Sequence, residues 1–285
     1  MTDISASPEI DEGAMTAGTS PSLANAGYAS ATPLVFQYRV LKALVLREMS
    51  NRYGEYRIGY LLGLIFPIIS IAALIVMFNF RGKVIPSNFP MGVFIVTGYP
   101  LWQNFQGMYQ KVMGSASRSD PLLMFPQITQ LDLILSTIVL EFATNTVVFI
   151  LLCVGVCIIF NAAGPADPMG VLLCFWGCMW MGSAVGMILC ALQRAAPLVV
   201  QFLNTFLRFG MWFSGVLYAV NRLPSFLWPY LQWNPMLHLI EGCRALWNPS
   251  FDAPIFSPAY IVVIGFILTT VGFVCERLSR RLVGP

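Results

Sequence analysis

The residues best suited to chemistry lie together in WNPMLHLIEGCRALW, residues 233–247. This stretch holds the only histidine of the chain, His238, with Glu241, Cys243 and Arg244, in an apolar run between Trp233 and Trp247. An imidazole near a carboxylate supplies the parts of a general base and its orienting group, and an imidazole near a thiol supplies part of a metal site. Each reading lacks a component. His238, Glu241 and Arg244 are spaced by three, so on a helix they share one face, while Cys243 points elsewhere. No second histidine completes a mixed zinc site and no C-x-x-C occurs. Cys153/Cys157 and Cys174/Cys178 each sit four apart on one helical face, where cysteine serves as a small apolar packing residue. No catalytic residue, metal ligand or cofactor is therefore assigned to this chain. Glu241 and Arg244 can pair on their shared face, which makes a charge tolerable in an apolar setting.

The elements that hold this stretch follow from composition. Of 285 residues, 57% are hydrophobic and 10% charged, against about a quarter charged in soluble domains. The net charge of +3 is too small and scattered for a nucleic-acid partner. The expected fold class is an all-α integral membrane protein with six transmembrane helices, at 58–80, 91–113, 128–160, 169–191, 198–220 and 259–275. Each segment is long enough for the roughly 20 residues, within a range of about 17–25, that a helix needs to cross a bilayer. Proline, glycine and charged residues separate them. Eleven of the sixteen basic residues fall on the side of the N-terminus, while Arg81, Lys83, Arg222 and Arg244 fall on the other. That asymmetry puts both termini in the cytoplasm.

The region 221–257 is too apolar for a solvated loop and too broken to cross. Asn234 is a favoured cap, Pro235 suits a first turn, and Asn248-Pro249 stops the helix between them. Its thirteen residues rise about 20 Å, short of the roughly 30 Å hydrocarbon core. Leu223–Trp233, broken at Pro229, makes a second short piece. Two short re-entrant helices on the periplasmic side satisfy both limits, provided protein or water covers them. Trp233 and Trp247 would then mark the interfacial level.

Residues 1–33 are small, polar and free of basic side chains, and read as a disordered cytosolic tail rather than a cleavable signal. An N-terminal amphipathic interface helix is expected at 34–51. Leu34, Tyr38, Leu41, Val45 and Met49 form its stripe, and Arg39, Lys42 and Arg47 lie off it. It fits either the membrane surface or a partner subunit. Within the spans, Glu141 and Arg208 stand at similar depth. They either pair, or Arg208 faces the path of an acidic substrate.

The segment REMSNRYGEYRIGYLLGLIFP, with Arg47, Glu48, Arg52, Tyr53, Gly59, Tyr60 and Pro67, resembles the entry of type-2 ABC exporter permeases of the capsular polysaccharide branch. Leu62 and Phe66 depart from that pattern, where a tryptophan and a glutamate are usual. FPMGVFIVTGYPLW, PLLMFPQITQLD and the 233–247 stretch continue the likeness from about residue 40 to the end. The resemblance implies a homodimeric permease in the bacterial inner membrane that exports lipid-linked capsular polysaccharide. No phosphate-cradling G-x-x-x-x-G-K-[ST] run occurs, so ATP and magnesium would belong to a separate ATPase dimer. A periplasmic adaptor and an outer-membrane exporter are further implied partners.

On this resemblance His238, Glu241, Arg244, Trp233 and Trp247 belong to a periplasmic gate. Tyr60, Trp212 and Arg208 are the candidates for the translocation path. Arg47, Glu48, Arg52, Arg118 and Asp120, in the interface helix and the 114–127 segment, would couple the ATPase to the membrane. The same architecture could carry O-antigen, teichoic acid or a small lipophile. An intramembrane lipid-modifying enzyme is the alternative of a different class.

Overall fold

The computed structural model describes residues 33–53, 58–81, 89–118 and 129–283. The expected tail and Asp120 lie outside them. The described residues are helical, without strands: α1 (Pro33–Tyr53), α2 (Ile58–Arg81), α3 (Met91–Val96), α4 (Tyr99–Arg118), α5 (Gln130–Ile159), α6 (Pro168–Ala195), α7 (Pro197–Phe209), α8 (Trp228–Leu231), α9 (Pro235–Trp247) and α10 (Pro258–Val283). The chain divides into two units, Met1–Val40 and Leu41–Pro285.

Three of the helices are long and apolar enough to cross a membrane: Gln130–Ile159, Pro168–Ala195 and Pro258–Ser279. Local chemistry sets their starts. Thr129 caps α5 in a reciprocal box, its Oγ1 accepting from Asp132 N while Asp132 Oδ2 accepts from Thr129 N at 2.9 Å. Asp132 is thus a capping residue rather than a stray charge. Asp167 caps α6 by accepting from Gly170 N at 3.0 Å, with Pro168 in the first turn.

Three expected segments differ in the structure. The 91–113 segment is two helices, broken at Thr97-Gly98. Pro100 has no N–H for the Val96 carbonyl and would crowd it in a continuous helix, so the chain turns and restarts with Pro100 as the second residue of α4. Buried Thr97 covers the break by donating its hydroxyl to the Val93 and Phe94 carbonyls at 2.8 and 3.2 Å. The 198–220 segment stays helical only to Phe213, as α7 and a 3₁₀ turn (Gly210–Phe213). Gly215 then adopts φ +73°, the left-handed region that glycine enters most readily, and the chain turns away. The 34–51 stripe is not what α1 buries. Leu44, off the stripe, is buried, whereas Tyr38 and Met49, on it, are exposed. The apolar residues of this helix are spread around its circumference.

Helix α6 is the hub of Leu41–Pro285. Two-thirds of its most apolar window is buried, against 11% in α5 and 17% in α10. Glycines let its neighbours close in. A Cβ on Gly182 would lie 2.7 Å from the Phe105 carbonyl oxygen of α4, and one on Gly186 would lie 2.7 Å from Val112 Cβ. Small residues four apart permit such backbone approach in membrane helices. Helix α10 packs along α6 as well, with Trp180 Nε1 donating to Thr269 Oγ1 at 3.0 Å.

The start of α3, the α5–α6 loop and the end of α9 meet at one end of this packing. The Phe89 and Phe251 rings lie 5.5 Å apart edge to face, and Asp167 N donates to the Leu246 carbonyl at 3.0 Å.

Gly186→Leu should separate α4 from α6 and cost about 1–3 kcal/mol through overpacking. A lowered thermal midpoint of the detergent-solubilised protein is the expected reading.

Candidate functional site

Helix α9 forms with the predicted boundaries. Asn234 Oδ1 accepts from Met236 N at 3.0 Å, and its Nδ2 donates to the Phe213 carbonyl at 3.0 Å, so the cap also ties α9 to the end of α7. Asn248 is the C-cap. The preceding piece is less regular than expected, with one 3₁₀ turn (Ser225–Leu227) and the single turn α8. Pro229 opens α8 rather than breaking a helix, because the missing N–H of proline costs nothing in a first turn.

Helix α9 runs antiparallel to the first half of α6. A Cβ on Gly170 would lie 3.0 Å from Leu246, and one on Gly177 would lie 2.7 Å from Leu239. Met236 shares a cavity wall with Met181, at the midpoint of α6. The thirteen residues of α9 therefore begin level with the middle of a helix about 40 Å long and end at its terminus.

Arg244 is the centre of this region. It is fully buried, as is Glu241, and its Nη1 donates to Glu241 Oε1 at 3.2 Å. Nη1 also donates to the carbonyls of Gly215 at 2.7 Å and Tyr218 at 3.0 Å, and Nη2 to that of Val216 at 3.2 Å. The Phe94 ring lies 3.7 Å from the guanidinium carbon, a cation–π contact from the helix before the Thr97-Gly98 break. Gly98 leaves the room required, since a Cβ there would stand 2.8 Å from Nη2. Val220 N donates to Glu241 Oε1 at 3.4 Å. One side chain thus holds α9, the α3–α4 break and the turn after α7 together.

His238 is buried and has both ring nitrogens engaged. Nδ1 accepts from Ser257 N at 3.2 Å, which leaves the proton on Nε2 to donate to the Gln232 carbonyl at 2.8 Å. Its ring lies 4.7 Å from that of Tyr260, whose hydroxyl donates to the Trp233 carbonyl at 2.8 Å. The histidine fastens both ends of the α9 hairpin. The two flanking tryptophans do not share an environment. Trp233 is 73% exposed, but Trp247 is 4% exposed and donates to the Ala163 carbonyl at 3.2 Å. Trp247 is therefore a packing residue beneath the α5–α6 loop.

The Glu141–Arg208 pair does not form within the chain. Glu141 instead receives Lys111 Nζ at 2.6 Å and Asn145 Nδ2 at 3.0 Å. Helix α4, not α7, is the neighbour of α5, so the lysine reaches the carboxylate first. Arg208 is exposed on α7, beside Tyr109.

Sequence reasoning overlooked a polar face on α4. Gln103, Gln106 and Gln110 recur at helical spacing, opposite the buried Leu101, Phe105, Met108 and Val112, and are partly exposed. The signal was present in WQNFQGMYQK, three glutamines and an asparagine within an expected span. On α7 Gln201, Asn204, Thr205 and Arg208 share one face in the same way. Tyr109 OH donates to Asn204 Oδ1 at 3.2 Å and joins the two helices. Gln103 Nε2 donates to Tyr99 OH and Gln110 is bonded to Tyr109, which lowers the roughly 2–7 kcal/mol that an unpaired amide costs in hydrocarbon.

Trp212 is exposed in the 3₁₀ turn after α7, alongside exposed Phe206, Phe209 and Phe213. The side chains of Tyr60, Arg52 and Arg118 lie outside the described residues. Arg47 is exposed and Glu48 half-buried on α1. Among the described residues no group of three or more His, Cys, Asp and Glu side chains is arranged to hold a metal ion.

Arg244→Met leaves Glu241 buried without its cation and should cost about 3–5 kcal/mol. Pairing it with Glu241→Leu should recover part of that loss, because no uncompensated carboxylate remains. Thermal midpoints of the two variants in detergent test this directly.

Comparison with known proteins bears on what this arrangement serves. The chain is 27% identical over 252 residues to the capsule polysaccharide export inner-membrane protein CtrC of Neisseria meningitidis serogroup B, covering 88% of this chain and 95% of that one. It is 27% identical to the capsule polysaccharide export inner-membrane protein BexB of Haemophilus influenzae, with the same coverage. With the polysialic acid transport protein KpsM of Escherichia coli the identity is 23% over 244 residues, covering 85% of this chain and 93% of that one. The family model for ABC-2 type transporters matches residues 39–247. The chain belongs to the ABC-2 type transporter family.

Proposed function

We propose that the protein is the permease subunit of an ABC transporter that exports capsular polysaccharide across the inner membrane, driven by ATP hydrolysis on a separate chain. The observation that carries this reading is similarity over nearly the whole chain to proteins named for capsule polysaccharide export, within the ABC-2 family. Two copies enclose the path, and both termini face the cytoplasm. Helices α2, α3 with α4, α5, α6, α7 with the 3₁₀ turn that continues it, and α10 supply the six crossings. The lipid anchor of the polymer, the periplasmic adaptor and the outer-membrane exporter belong to the same proposal.

Helix α9 and the residues before it form the periplasmic re-entrant gate. The start of α9 level with the midpoint of α6 supports this, because a helix that runs from there to one terminus of α6 stops short of crossing the hydrocarbon core. Its backbone is covered by protein, the condition for a half-crossing helix. Arg244 and His238 keep the gate seated, and its opening requires the turn 215–218 to move with it. Arg47, Glu48, Arg52, Arg118 and Asp120 receive the motion of the ATPase.

The purified protein is expected to bind an ATP-binding-cassette subunit whose hydrolysis rises several-fold with acidic capsular polymer. Failure to recruit such a subunit overturns the reading. For the gate, Glu241→Ala and Arg244→Ala compared at equal membrane abundance should each lower surface polysaccharide at least tenfold. Undiminished export would remove α9 from that role.

A further inference from the structure

We infer that the joined polar faces of α4 and α7 are a polymer-binding wall, with Gln106 and Gln110 bonding sugar hydroxyls and Arg208 bonding anionic groups. This rests on the transport reading above and adds to it the residues that touch the cargo.

Depth is the first argument. Helix α4 meets α6 between Phe105 and Val112, opposite Gly182 and Gly186 at the middle of α6. Gln106 and Gln110 therefore lie near the centre of the membrane, where side-chain amides need a polar partner. Space is the second. A Cβ added at Gly107, on the same side of α4, would meet nothing within 4 Å, so the space beside the glutamines is not filled by the described residues of this chain. Continuity is the third. The Tyr109–Asn204 hydrogen bond and the position of Arg208 beside Tyr109 carry the polar surface from α4 onto α7.

The rival occupant of this face is the same face of a second copy. An isologous contact sets the same patch against itself. The patch carries exposed Arg208 and no carboxylate, since the nearest acidic side chain on α4 or α5, Glu141, is buried against Lys111. Self-contact would oppose like charges. A hydroxyl-rich, anionic chain satisfies both the amides and the guanidinium, each by a charge-assisted or neutral hydrogen bond that can be exchanged as the chain advances.

The test uses the full chain assembled with its ATPase in membranes. Gly107→Trp should assemble at parental abundance yet lower polymer export at least tenfold, because the indole fills the open volume. Gln110→Leu and Arg208→Gln should raise several-fold the polymer concentration that half-maximally stimulates ATP hydrolysis, the arginine variant with acidic but not with neutral polymer. Gly107→Cys should react with a charged, water-soluble thiol reagent above the parental background. Parental export by Gly107→Trp overturns the inference, as does an unreactive Gly107→Cys. Dissociation of the dimer by Gln110→Leu would assign the face to a second copy and overturn it as well. If the unaltered complex moves no polysaccharide, the transport reading itself falls.

Discussion

A single buried guanidinium organises the half of the bundle where α3, α9 and the turn after α7 meet. Arg244 donates to the carbonyls of Gly215, Val216 and Tyr218, pairs with Glu241 and stacks over Phe94. A buried ion pair by itself contributes little net stability, because desolvation offsets its attraction. Its worth here is specificity. The carbonyls of Gly215, Val216 and Tyr218 belong to a turn outside any helix, and the arginine is what satisfies them. The left-handed Gly215, the break at Thr97-Gly98 and the half-length of α9 all fit around that one side chain.

The hub helix gives this arrangement its frame. Glycines on α6 bring α4 within backbone contact on one side, while α10 lies along another and α9 covers the remainder of its first half. Close approach strengthens dispersion where hydrocarbon lipid offers helices no hydrophobic gain from associating. Helix α7 packs more lightly, through buried Val200 and partly buried Leu203 and Leu207, and is tied to α4 by the Tyr109–Asn204 hydrogen bond.

Polarity near the middle of the membrane marks where a path can run. The chain resolves its two kinds of mid-depth polarity differently. Glu141 and Lys111 satisfy each other between α4 and α5, and Asn145 adds a third partner. The glutamines of α4 and the polar side of α7 remain partly exposed beside open volume. The first is packing, and the second is a surface prepared for something hydrophilic.

Residues close in sequence declared what they would do. Asn234, Pro235 and Asn248 bounded α9 because caps and first-turn prolines act through neighbouring backbone groups. The 3.6-residue period put Glu241 and Arg244 together, and composition alone required a membrane. What the sequence left undecided was every relation across helices. Lys111 rather than Arg208 reached Glu141, Trp247 went under a loop while Trp233 stayed exposed, and Arg244 found carbonyls some 28 residues away. Such choices depend on the rotation and neighbours of each helix. Those are fixed by packing on the glycines of α6, an interaction that no local pattern encodes.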